Sequence, residues 1–247
     1  MALFEARGLH LRFGDRVVLE DISLAFESGK LSGIMGPNGA GKTTCFNVLT
    51  GRHKPDRGQV FFEDQDITGR KPHEIARLGV ARSFQLMNLF DEFSAFENVA
   101  IALPGTRKRV NDAVGQAYSD PGIVAEALAV LDRVGLARRA DDPAKSLPYG
   151  ARRALEIAMA LASAPKLLFL DEPTAGLGSD GRARLAELIS SLKGFVTIVI
   201  IEHDMDFLFG LADEISVIHW GQVIAHGSPA DLKANPWVKA SSLGQVN

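Results

Sequence analysis

Leu9, Leu11 and Phe13 alternate with His10 and Arg12, and Ile22, Leu24 and Phe26 alternate with Ser23 and Ala25. A period of two sends one set of side chains to a covered face and the other to water. It predicts two half-buried strands of an antiparallel sheet. Leu31–Met35 is a further candidate strand, and Thr44–Thr50 a short helix stopped by Gly51. Farther along, Leu167–Leu170 and Val196–Ile201 are unbroken apolar runs, the second β-branched. Such runs suit central strands of a parallel sheet covered on both faces. Between the two regimes the chain turns helical. Leu155, Ala158, Met159 and Ala162 fall at i, i+3, i+4 and i+7, with Pro165 closing that helix, and Ile123–Val134 is rich in Ala and Leu. Ser228-Pro229-Ala230-Asp231 reads as a capping box opening a last helix. Pro104–Gly122, with clustered Gly, Asp, Asn and basic residues, is the most loop-like stretch.

The 247 residues are 46% hydrophobic and 23% charged, which suits one or two globular domains with a full core. A net charge of −3 supplies no basic field for nucleic acid or an anionic lipid surface. The basic pairs Arg138-Arg139 and Arg152-Arg153, and the triplet Arg107-Lys108-Arg109, read as solvated faces. No apolar run approaches the roughly 18–20 residues of a bilayer span. Glu5 and Arg7 interrupt the stretch a signal peptide would need. The single cysteine, Cys45, excludes an intrachain disulfide framework and reads as a small buried hydrophobe. Composition therefore predicts a soluble chain of a reducing, cytoplasmic compartment.

Chemistry enters at Gly36-Pro37-Asn38-Gly39-Ala40-Gly41-Lys42-Thr43, which fits the phosphate-loop pattern G-x-x-x-x-G-K-S/T. Glycines let the backbone wrap a phosphate and aim several N–H groups at it, and a following helix adds its positive dipole end. Lys42 would reach the β- and γ-phosphates of a nucleoside triphosphate, and the Thr43 hydroxyl would take a position on Mg²⁺. The run Leu167–Leu170 leads directly into Asp171 and Glu172. Asp171 at the strand end suits Mg²⁺, and Glu172 is placed to polarise the attacking water. His203 follows the second apolar run, a position that favours a functional histidine over a structural one. Leu89, Phe90 and Phe93 read either as a hydrophobic docking surface or as ordinary core.

With these residues the chain resembles the ATP-binding-cassette ATPases, from Leu9 to Leu243. Gly36–Thr44 matches the family's Walker A, so Thr44 joins the nucleotide-binding set. Leu167–Glu172 with Pro173-Thr174 matches Walker B, Phe84-Gln85 the Q-loop, and Ile201-Glu202-His203-Asp204 the switch histidine. The resemblance implies that Phe13 stacks on adenine and that Gln85 joins the catalytic and Mg²⁺ sets. It also implies that Leu147-Pro148-Tyr149-Gly150-Ala151 is the signature that closes on the partner's ATP in a head-to-tail dimer. The usual LSGGQ is altered at Pro148, Tyr149 and Ala151, and Gly178 stands where the D-loop commonly has aspartate. An anion site built from Gly150 and helix-start N–H groups persists.

The signature tyrosine, RSFQ, the NLF and ENV segments and AGL after Walker B resemble the LivG-type branch. That branch implies a subunit of an importer for branched-chain amino acids, other hydrophobic amino acids or small amides such as urea. The implied fold is α/β: a P-loop NTPase (RecA-like) core with a mostly parallel sheet, an N-terminal antiparallel β subdomain and an inserted α-helical subdomain. The core takes about 1–85 and 166–247, and the helical signature part about 86–165. Implied partners are a second cassette ATPase or a second copy, two transmembrane permeases and, indirectly, an external solute-binding protein, with no nucleic acid. The implied location is cytoplasmic, peripheral on the inner face of the membrane. Rival readings are an exporter ATPase, a cassette scaffold that moves nothing, and a nucleotide sensor without turnover. A GTPase is disfavoured because no N-K-x-D sequence occurs.

Overall fold

The alternating segments pair as their period predicts. In the computed structural model, which describes residues 2–83, 89–107, 119–236 and 238, β1 (Ala2–Phe13) lies antiparallel to β2 (Arg16–Glu27), Leu9 opposite Ile22. Strand β4 (Arg57–Phe62) joins the other side of β1, and β5 (Gln65–Asp66) completes the order β2-β1-β4-β5. Phe4, Leu9, Ile22 and Phe26 are buried on the covered face, whereas Phe13, at the end of the pattern, is half exposed.

The unbroken apolar runs build the second sheet. Its strands are β3 (Leu31–Met35), β6 (Val80–Arg82), β7 (Leu167–Asp171), β8 (Thr197–Ile201), β9 (Glu214–His219) and β10 (Gln222–Gly227). They lie in the order β10-β9-β3-β8-β7-β6, and every pairing except β9 with β10 is parallel. Successive side chains of a strand leave on opposite faces, and here both faces are covered. Leu168, Leu170, Ile198 and Ile200 pack against helices, while Leu167, Phe169, Val199 and Ile201 pack toward the first sheet. The Phe169 ring meets Phe4 and Phe46 edge-on at 5.4 and 5.5 Å.

Among the described residues the α-helices are α1 (Lys42–Leu49), α2 (Pro72–Arg77), α3 (Ala95–Ala102), α4 (Pro104–Arg107), α5 (Pro121–Arg133), α6 (Tyr149–Leu161), α7 (Ser179–Ser191), α8 (Met205–Leu211) and α9 (Pro229–Ala234). Helices α3 to α6 all fall in sequence between β6 and β7. None of the described helices is long and apolar enough to cross a membrane.

Several local expectations need correction. Helix α1 starts at Lys42, two residues before Thr44, because left-handed Gly41 caps it. Pro104–Arg107 is a helical turn, with proline preset for the first helical position. Helix α6 stops at Leu161, and Ala164 turns left-handed (φ +48°) ahead of Pro165. Arg152-Arg153 is not a solvated face: Arg153 is buried and paired with buried Glu156 at 2.7 Å, and Arg152 meets Asp91 at 2.6 Å. Of Leu89, Phe90 and Phe93, the ordinary-core reading holds for Leu89 and not for Phe90. Leu89 packs on the core, whereas Phe90 is exposed and stacked on Phe93 at 5.5 Å. Buried Asn98 holds this loop through bonds to Phe90 N, Phe90 O, Phe93 O and Ser94 O.

Candidate functional site

Parallel pairing carries the ends of β3, β7 and β8 to one edge, with Asp171 opposite Ile201 and Ile34 opposite Ile201. The crevice beyond the carboxyl ends of such strands is where open α/β sheets bind ligands. Three loops emerge there: Gly36–Gly41 after β3, Asp171–Thr174 after β7 and Glu202–Asp204 after β8.

The first loop is tightly shaped. A Cβ on Gly36 would stand 2.0 Å from the Ile218 carbonyl oxygen. Gly41, at φ +100°, would place one 2.9 Å from Val18 O. Cys45 N donates to Gly41 O at 2.8 Å, closing the first turn of α1. The N–H groups of Lys42, Thr43 and Thr44 precede any intrahelical partner, so they form an anion-seeking end. Lys42 is buried and its Nζ donates to Gly36 O at 2.7 Å and Pro37 O at 3.0 Å. Burial pushes its ammonium below the ordinary lysine range, opposed by the charges of Glu172, Glu202 and Asp171. Cys45, on the far side of α1, is wholly buried, and burial pushes its thiol up to about 12, so it is inert.

The second loop supplies carboxylates in two settings. Asp171 is buried 3.4 Å from the Arg82 guanidinium. Burial raises its carboxyl above the usual carboxylate range, with Arg82 pulling it back down. Arg82 itself is fixed by Asn47 Oδ1 at 3.0 Å, Thr50 Oγ1 at 2.9 Å and the Phe46 ring at 4.2 Å. Glu172 adopts left-handed backbone (φ +45°), and its N–H donates to Ile201 O at 2.8 Å. A non-glycine residue in this region is strained and is found where surrounding structure over-determines it. His203, from the third loop, is half exposed, with Nδ1 3.9 Å from Glu172 Oε1 and 3.7 Å from Glu202 Oε2.

A cleft of about 390 Å³ brings together Phe13, Asn38, Gly39, Gly41, Lys42, Thr43, Thr44 and Glu172. The Phe13 ring stands edge-on to His53 at 5.4 Å. Leu147–Ala151 do not border this cleft. Pro148, Tyr149, Gly150 and Ala151 line a separate groove with Gly176–Gly178. Pro148 caps α6, Tyr149 is its first residue, and the Tyr149 hydroxyl donates to Ala175 O at 3.0 Å. Gln85 and Phe84 lie outside the described residues.

Glu202, Thr174 and Arg82 stand inside quoted motifs but had no role assigned from sequence. The available signal was a charged residue at the end of an apolar run, where burial demands a partner.

The donor set suits a magnesium nucleotide. Among the described residues no group of three or more His, Cys, Asp or Glu is placed to hold a metal. A cation here would combine one hydroxyl and one carboxyl with substrate phosphates, the coordination Mg²⁺ favours.

The sequence profile of the family described as ABC transporter matches residues 19–175. The high-affinity branched-chain amino acid transport ATP-binding protein LivG of Escherichia coli is 36% identical, across 99% of this chain and 98% of that protein. The lipopolysaccharide export system ATP-binding protein LptB of Acidithiobacillus ferridurans is 32% identical, across 98% of this chain and 97% of its own. The ADP conformation of MJ1267, an ATP-binding cassette of an ABC transporter, superposes with a TM-score of 0.86. It is 30% identical and covers 99% of this chain and 100% of that one.

Proposed function

The chain belongs to the ABC transporter family, whose ATP-binding proteins are ATPases coupled to transport, and from that membership we propose that it powers an importer of branched-chain amino acids or related small amides. The near full-length identity to LivG carries this reading. The cleft supports an ATP role on its own, since it joins the Gly36–Thr44 cradle to Glu172.

In this reading Lys42 and the loop N–H groups hold the phosphates, and Phe13 stacks on adenine. Thr43, Asp171 and Gln85 would hold Mg²⁺, which would supply charge neutralisation on the phosphates when bound. Glu172 takes the proton of the attacking water, and His203 holds the water and γ-phosphate in line. Leu147–Ala151, which do not border this chain's own cleft, serve the ATP of a second cassette in a head-to-tail dimer. Closure then follows from ATP binding the closed pair better than the open one. Two membrane permeases and an external binding protein complete the assembly.

Co-purification tests it. The tagged chain should retain permease subunits, and ATP hydrolysis in the resulting complex should rise when a binding protein loaded with leucine, isoleucine or valine is added. Retention of lipopolysaccharide-export components instead would favour an export role, the second reading prompted by LptB. No affinity for magnesium ATP would sink both. A narrower expectation concerns Phe13, which is half exposed and so removable at little cost to folding. Base–aromatic stacking is worth about 1–3 kcal/mol. Phe13→Ala should therefore weaken ATP binding about tenfold with kcat nearly kept, as nucleotide titration would show.

A further inference from the structure

We propose that Glu202 is a positioning residue that sets His203 against Glu172 by joining the loops after β7 and β8. The inference rests on the roles proposed above for those two side chains. Glu202 has no exposed surface. Its Oε1 accepts from Thr174 N at 2.9 Å and from the Thr174 hydroxyl. Its Oε2 accepts from His203 N at 3.1 Å and Asp204 N at 3.4 Å. Its own N–H donates to Ile34 O at 3.1 Å, at the end of β3. One residue thus ties the loops after β7 and β8 to the end of β3.

The distribution of those bonds is what suggests a role beyond stability. A buried carboxyl is costly unless its oxygens are matched by donors, and here every donor comes from a segment that carries or adjoins a reacting side chain. His203 is half exposed, so its placement comes chiefly through its backbone, and Glu202 grips that backbone at His203 N. On the other side Thr174 lies two residues past Glu172, and Ala175 N donates to Glu172 O at 3.1 Å. Releasing either grip lets the two side chains, 3.9 Å apart, drift relative to each other.

Glu202→Gln keeps the volume but replaces one acceptor oxygen with an NH₂ donor. In either orientation that donor faces the N–H groups of one loop. A misplacement of about 1 Å in a catalytic constellation costs about 10²-fold in rate. In the full chain assembled with its transporter partners, kcat for ATP should therefore fall 10- to 100-fold. KM should stay within about threefold, because the phosphate loop keeps its own contacts. The double variant Glu202→Gln with His203→Ala should be no slower than His203→Ala alone, since both act through one group. Thr174→Val, which removes one hydroxyl donor and leaves the backbone bonds, should show the same split to a smaller degree. It carries the test through the same cycle with His203→Ala if Glu202→Gln does not fold. Wild-type kcat in both variants, or losses that multiply with that of His203→Ala, would overturn the proposal while leaving the ATPase reading intact. A His203→Ala protein at wild-type rate would instead remove the role of His203, and the positioning role with it.

Discussion

Glu172→Gln will bind ATP with magnesium about as well as the unaltered protein, while steady-state phosphate release falls by at least 10²–10³-fold, the usual loss for one preorganised group at a reacting centre. The amide matches the carboxylate in size and can keep the same backbone, including the bond from residue 172 N–H to Ile201 O. Binding survives because, in the proposed reading, the phosphate contacts come from Gly36–Thr44 and not from residue 172. Turnover does not, because an amide cannot take a proton from water. Glu172 is the carboxylate of the pair that borders the cleft, whereas Asp171 is buried against Arg82. Nucleotide titration and phosphate release on the same sample separate the two effects. Unchanged phosphate release would transfer the base role to another group.

The second large effect is on stability. Arg153→Met should lower unfolding stability by about 3–5 kcal/mol, the cost of stranding one partner of a buried ion pair. The Arg153 guanidinium lies 2.7 Å from Glu156 Oε2, with side-chain exposures of 3% and 6%. The Glu156 carboxyl would lose this ion pair within a helix whose inner face packs among Leu155, Ala158 and Leu161. For a domain whose whole stability is about 5–15 kcal/mol, that is a large fraction. The double variant with Glu156→Leu should regain much of the loss, because replacing both members of a buried ion pair by apolar groups removes the desolvation cost of both charges. Denaturant midpoints of the two single variants and the double variant measure the coupling. A loss below about 1 kcal/mol in Arg153→Met would mean that solvent reaches the pair.

The fold was readable wherever one local rule set the outcome. Period-two alternation announced β1 and β2, and unbroken apolar runs announced β7 and β8, since a strand covered on both faces has no polar side to display. Ser228 with Pro229 and Asp231 marked the start of α9 through a cap that is local by nature. Arg153 went the other way. A basic pair looks solvated until its pitch on α6 turns one member inward, which depends on what packs there.

From the order of its residues alone, this protein was committed to a glycine cradle followed by lysine, an acidic strand end and a histidine after a second apolar run. Each is a contiguous word whose backbone requirement is met within a few residues. Tertiary structure alone decided that Arg82 meets Asp171, that Glu202 joins Thr174 to His203, and that Pro148–Ala151 line a groove separate from the phosphate-loop cleft. The physical reason is burial. Residues distant in sequence acquire partners only when packing removes water and obliges each remaining donor and acceptor to find another.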